Sequence, residues 1–226
     1  HWCWLSGTWF SSRRFSAGYR HMCRFFAINL WPFVEELGYE YVMRLDEDSF
    51  IWSPIKYNLF DFMAERQLDY GFRLATWEHE YHTGEKFHKF VRNYALSRNL
   101  ARWKMSSDWL LESCVDGARS LANYSYQNCG PVYSIYNNFF VSRVGWWRQP
   151  RVAAFLAHVD ASNLIYSERM GDLLWHTAAL QLFASPDQVH MFDDFIYEHM
   201  TLRQVQLQGR PSQPDVNLTC IQTGGF

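Results

Sequence analysis

The 226-residue sequence predicts an α/β fold, a central sheet flanked by helices, and three observations carry that expectation. Residues 39–45 are a bulky, partly β-branched run too short for a typical helix, so they read as a buried strand that stops at Asp46, Glu47 and Asp48. Residues 70–77 and 132–142 alternate well enough to be two more strands. Between and after them, Phe87, Phe90, Val91, Tyr94 and Ala95, and then Val152, Phe155, Leu156 and Val159, recur at helical spacing.

The first helix is expected from the face made by Met22, Phe25, Phe26, Leu30, Phe33 and Leu37, with Pro32 kinking or breaking it. Residues 1–15, dense in Trp and Ser, have no sustained period and read as irregular. A short helix is expected over 61–67. The polar Glu78, His79, Glu80, Tyr81 and His82 lack H-E-x-x-H spacing and read as a solvated loop. Residues 96–130 are ragged enough to be a surface insertion. Pro150 is placed to open a helix, residues 171–183 form a further one, and 189–192 form a short strand. From residue 204 the polar tail is expected to be loosely held.

Composition removes several function classes. A net charge of -2 gives no polyanion footprint, so nucleic acid is not an expected partner. Aromatic residues make up 19% of the chain, which suits either a carbohydrate-handling surface or a thick core. Cys3, Cys23, Cys114, Cys129 and Cys220 form no C-x-x-C pair, so no zinc or thioredoxin-type site is supported. The sequons at Asn123 and Asn217 are compatible with a secretory-pathway lumen. No apolar run is long enough to span a bilayer. The chain starts at His1, and an N-terminal portion with an anchor is expected outside the sequence.

Three candidate sites stand out. Carboxylates at the mouth of a sheet are hard oxygen donors suited to Mg²⁺ or Mn²⁺, and an Asp-x-Asp closing a strand is how many sugar-nucleotide transferases hold a metal. Taken alone, the motif reads first as a solvated acidic turn, because a bare D-x-D is common. Arg20 and Arg24 beside a helix start could clamp a phosphate or be surface cations. Asp172 and His176 lie four apart on one helix face, so both can enter one site, or they can be a capping Asp and a satisfied core His.

Five words then occur in a fixed order: Y-R-H-M-C-R-F at 19–25, R-L-D-E-D at 44–48, Y-G-F at 70–72, Y-S-E-R-M-G-D-L-L-W-H-T-A-A at 166–179 and H-M-F-D-D-F-I-Y-E-H at 190–199. By these words the chain resembles the fungal KTR-type α-1,2-mannosyltransferases of the Golgi, over roughly residues 19–199. The resemblance implies a GT-A-like fold with a mixed central sheet. It also implies a GDP-mannose donor, Mn²⁺, retention of configuration and a glycan or glycoprotein acceptor. The full-length protein is then expected in the Golgi lumen with type II topology, reaching the membrane only through an anchor outside this sequence. Residues 1–203 are expected to be the catalytic domain and 204–226 its tail. By resemblance Asp46, Asp48 and His176 would hold the metal, with His176 on the His of the family's Pro-Val-His-Ser segment. Tyr19, Arg20 and Arg44 fall on donor-side positions, while Glu168 and Asp172 would bind hydroxyls or carry catalysis.

The departures are equally specific. The family's Ser-Asn-Phe-Glu corresponds to Asn137, Asn138, Phe139 and Phe140, so its candidate nucleophilic carboxylate is a phenyl ring, which forms no glycosyl ester. Glu47 replaces the Pro of Glu-Pro-Asp. A glycan-binding relative without catalysis is the alternative these changes keep open; a metal-dependent hydrolase has no paired base and nucleophile to support it.

Overall fold

The computed structural model describes residues 16–78, 81–100, 124–199, 202–204 and 221–222. Helix α1 (Ala17–Arg24) starts on Ser16, whose hydroxyl accepts from the Tyr19 amide, and passes through a π-helical turn, Phe25–Asn29, into α2 (Leu30–Glu36). The distortion expected at Pro32 therefore takes the form of that turn. Pro32 offers no N–H to the carbonyl four residues back, and just upstream the helix widens so that the Leu30 amide bonds the Phe25 carbonyl.

Strands β1 (Tyr41–Leu45) and β2 (Ser49–Ile51) flank the acidic turn; α3 (Leu59–Glu65), capped by the Asn58 side chain, leads to β3 (Tyr70–Glu78). Helices α4 (Tyr81–Ser97) and α5 (Tyr126–Cys129) precede β4 (Val132–Arg143). Next come α6 (Val144–Trp147), α7 (Pro150–Ser162), α8 (Leu164–Ser167) and α9 (Asp172–Phe183). Pro150 opens α7 as its position suggests, and the chain continues through β5 (Val189–Met191), β6 (Tyr197–His199), β7 (Leu202–Gln204) and β8 (Ile221–Gln222). The strands and helices expected from periodicity all form, but β1 stands at the end of its sheet and is not the buried strand expected, Met43 and Leu45 being 39% and 41% exposed, and the loop expected over 78–82 is cut short because Glu78 closes β3 and Tyr81 opens α4. Residues 1–15 and most of the expected insertion, 101–123, lie outside the described residues.

The chain divides into two compact units, the first of His1–Glu40, Ala75–Ile135 and Val144–Pro186, the second of Tyr41–Leu74, Tyr136–Arg143 and Asp187–Phe226. The first unit has a core of aromatic rings. Trp31 and Trp147 stack at 4.2 Å with planes 6° apart, Phe87 and Phe90 pack on Trp175, and Tyr94 meets Phe155 edge-on. Arg24 forks onto Asp160 and joins α1 to α7. Much of the aromatic content is thus core: Trp31, Trp146, Trp147 and Trp175 are all buried.

The second unit carries the strand registers. One sheet has the order β1-β4-β3-β5 and is mixed: β1 pairs antiparallel with β4, Leu45 opposite Phe139, while β3 pairs parallel with β5, Tyr70 opposite Val189. Leu59 and Met63 of α3 pack with Phe139, Val141, Phe192, Phe195 and Tyr197. Gly71 permits that packing, because a Cβ there would fall 2.6 Å from the Phe192 ring and 3.0 Å from Met63 Sδ. A smaller sheet, β2-β6-β7-β8, was not legible in the sequence. Its last strand lies in the tail expected to be loose, with Gln222 opposite Leu202.

Candidate metal centre

The acidic turn forms where β1 ends. Antiparallel pairing brings Leu45 opposite Phe139, and the Asp46 amide then bonds the Asn138 carbonyl at 2.9 Å. The Ser49 amide returns to the Asp46 carbonyl at 3.0 Å, which closes the turn and starts β2. Asp46 is held by its neighbours. Arg44 donates from Nε to Oδ1 at 2.6 Å and from an Nη to Oδ2 at 3.2 Å, and the Asn138 amide donates to Oδ2. Hydrogen bonds to a charged partner of this kind contribute about 1.5–3 kcal/mol each, so the carboxylate has a fixed direction.

The third member comes from the other end of the chain. β2 pairs antiparallel with β6, Ser49 opposite His199, and this register places His199 beside the acidic turn. Its Nδ1 lies 3.1 Å from Asp48 Oδ1 and 3.1 Å from the Ser49 hydroxyl, which also meets the Tyr197 hydroxyl at 2.8 Å. Tyr136 packs edge-on against the ring. Asp46, Asp48 and His199 each offer a ligand atom, all within 4.8 Å of one another. Burial pushes the His199 pKa below its ordinary value, although Asp48 and Asp46 pull the other way. A neutral imidazole is the ligand-competent form. Two carboxylates and one imidazole suit a hard-to-borderline divalent ion such as Mn²⁺, and half-exposed Asp48 leaves room for its remaining ligands, so the residues fit the expected metal.

His176 is not part of this cluster. It is buried in the first unit on α9, its ring packed against Trp31 and Trp147, and its Nε2–H donates to the Phe26 carbonyl at 3.1 Å. Among the described residues, the imidazole within ligand reach of Asp46 and Asp48 is that of His199. The physical reason is that α9 is apolar nearly all round, so a histidine on it faces core.

The other expected site residues also lie in the first unit, apart from Arg44. Arg20 is buried, and an Nη donates to the Tyr166 carbonyl at 2.7 Å, joining α1 to α8. Tyr19, Cys23 and Asp172 form one group. Burial raises the Tyr19 pKa, and burial followed by the charge of Asp172 pushes the Cys23 thiol up to about 12. Asp172 is buried in the first turn of α9, where the helix dipole favours its charge. Glu168 forms a 2.6 Å ion pair with Lys86, and Arg169 between them and Asp172 in sequence has a φ of 58°, an uncommon conformation for a non-glycine residue. Phe140 is buried in β4 and stacks on Tyr70 at 5.5 Å.

Solved structures agree with the mixed-sheet α/β fold. Core-mannan synthase A (CmsA/Ktr4) of Aspergillus fumigatus, in a Mn/GDP form, superposes with a TM-score of 0.69 at 23% identity, over 82% of this chain and 49% of that one. Ktr4p of Saccharomyces cerevisiae in complex with GDP gives 0.67 at 23% identity, over 82% and 46%. The profile of the glycolipid 2-alpha-mannosyltransferase family matches residues 12–217, and the chain belongs to that family. Its relatives include glycolipid 2-alpha-mannosyltransferase 1 of Candida albicans, 26% identical over 82% of this chain and 40% of that protein. Another is the probable mannosyltransferase KTR3 of S. cerevisiae, 28% identical over 88% and 50%. The chain thus spans about half the length, or less, of these curated relatives.

Proposed function

We propose that this chain carries the metal- and donor-binding part of an α-1,2-mannosyltransferase that moves mannose from GDP-mannose to a mannose-containing glycan or glycoprotein, with Mn²⁺ and with retention of configuration. The observation that carries the reading is the convergence of Asp46, Asp48 and His199. It is supported by membership of the family and by a relative of the same fold whose solved form contains Mn and GDP. Bound there, Mn²⁺ would neutralise charge that develops on the diphosphate as it leaves.

The chain's own residues then take defined parts. Arg44 and Asn138 hold the Asp46 carboxylate in one orientation, while Ser49 and Asp48 keep the His199 ring turned toward the turn. Tyr19, Arg20 and Arg44 are assigned to the donor side, Glu168 and Asp172 to sugar hydroxyls. Phe140 cannot form a glycosyl ester, so either the phosphate on the donor face would serve as base to the incoming hydroxyl or another acid would take the nucleophile's place. That same ring, buried against Tyr70, favours a second reading: a glycan-binding relative that does not turn over its donor. The Golgi lumen is the proposed location. Cys129 is disulfide-bonded, which fits an oxidising compartment, and among the described residues no helix is long and apolar enough to cross a membrane.

Titration of the full chain with GDP, UDP and ADP, each with and without Mn²⁺, tests the proposal. Mn²⁺-dependent preference for GDP together with release of mannose from GDP-mannose is expected. Equal affinities with and without metal would overturn the metal and donor assignment, and metal-dependent GDP binding without turnover would select the glycan-binding reading.

A further inference from the structure

Ser49 stands where the candidate metal centre meets the core of the second unit. Cross-strand partners project to the same side of a ribbon and residues two apart return to it, so Ser49, His199 and Tyr197 share one face of the β2–β6 pair. The Ser49 amide closes the acidic turn on the Asp46 carbonyl, which fixes the backbone from which its hydroxyl projects. That hydroxyl is 3.1 Å from His199 Nδ1, and Nδ1 is 3.1 Å from Asp48 Oδ1. Three donor atoms thus follow one another at a single spacing. Bonds of about 2.2 Å at right angles set neighbouring ligands about 3.1 Å apart, so this is also the spacing of adjacent ligands on an octahedral divalent ion.

The hydroxyl is anchored from behind. Tyr197 is fully buried, packed with Phe139 and Phe195, and its hydroxyl meets Ser49 Oγ at 2.8 Å. A buried phenol without an acceptor forfeits a hydrogen bond, so Tyr197 donates and Ser49 accepts. One lone pair of Oγ is then taken up by the core, and the other is left for a cation. Ser49 itself is only half-buried, so an ion can reach that oxygen from the side on which Asp48 is exposed.

We infer that Ser49 Oγ is a fourth protein ligand of the cation held by Asp46, Asp48 and His199, with the Tyr197 hydroxyl as the positioning group behind it. The inference rests on the reading of that cluster as a metal centre. A hydroxyl is a neutral, hard oxygen donor, so it adds to the two carboxylates without adding charge, as a Ser or Thr hydroxyl does for Mg²⁺ in phosphate-binding loops. Four protein atoms leave two positions of an octahedral ion, the number that two oxygens of a nucleoside diphosphate fill.

The test is calorimetric titration of the full chain and its variants with Mn²⁺ alone and with Cd²⁺ alone. Ser49→Ala is expected to weaken Mn²⁺ binding roughly tenfold and Tyr197→Phe by less, while Ser49→Thr, which keeps the hydroxyl, should stay within about threefold of wild type. Ser49→Cys is expected to raise the ratio of Cd²⁺ to Mn²⁺ affinity on the order of tenfold above that of wild type, because a thiolate prefers the softer ion. Equal Mn²⁺ affinity in wild type and Ser49→Ala overturns the inference. So does a loss in Ser49→Ala with no change of ratio in Ser49→Cys, since the hydroxyl then only steers the His199 ring. A wild type that binds no Mn²⁺ overturns the metal centre itself.

Discussion

His176 and His199 stand in opposite environments, and the difference teaches what makes a histidine a ligand. His176 has its ring inside the aromatic core of the first unit, with Nε2–H committed to the Phe26 carbonyl. His199 is equally buried, but its Nδ1 faces Asp48, and Asp46 completes the cluster. Burial alone does not separate the two. What separates them is whether the nitrogen meets a backbone carbonyl, which needs only a proton, or carboxylates, whose crowded charge is relieved by a cation.

The comparison breaks most directly at Asp48. Asp48→Ala is expected to lower mannosyl transfer on the order of 10³-fold, with Mn²⁺ affinity falling in parallel, as read by steady-state kinetics across a metal titration. Activity within a few-fold of wild type would remove the metal from the account. A third histidine sharpens the structural side. His88 is buried, donates from Nε2 to the Gly130 carbonyl at 3.0 Å and packs edge-on against Tyr124; burial holds its pKa down at about 4 against an ordinary 6.5. Between those values the unfolded chain binds more protons than the folded one, so this contribution is intact above pH 6.5 and falls by about 3 kcal/mol as pH drops to 4. Chemical denaturation of wild type and His88→Leu across that range checks it, and the acid-side loss should be smaller in the variant by about that amount.

Smaller effects follow at the two histidines that define the contrast. His199→Ala is expected to weaken Mn²⁺ binding about 10²-fold, measured by calorimetry. His176→Leu should do the reverse: metal affinity stays within twofold, while stability falls by about 2 kcal/mol because the Phe26 carbonyl loses its donor.

How much of this was legible in the sequence depends on range. β1 and its acidic turn were readable, because the change from apolar to charged is local, and Pro150 marked the start of α7 for the same reason. The D-x-x-x-H spacing placed Asp172 and His176 on one helix face correctly, yet spacing cannot reveal that the partner is the Phe26 carbonyl, 150 residues away. His199 stood within a word used for the resemblance. Its role depends on the Ser49–His199 register, which joins the turn to a three-residue strand far downstream, and no local pattern reports such a pairing. The aromatic content had two readings, core and carbohydrate surface. Burial places Trp31 and Trp147 in the core and leaves Phe50 and Trp52 exposed.

Pulsed electron paramagnetic resonance of Mn²⁺ added to the full chain tests the central claim most directly, because an imidazole ligand gives a nitrogen hyperfine coupling. The coupling should be present in wild type and in His176→Leu and absent in His199→Ala. A coupling that survives His199→Ala, or vanishes with His176→Leu, would contradict the assignment of the metal to the turn between β1 and β2.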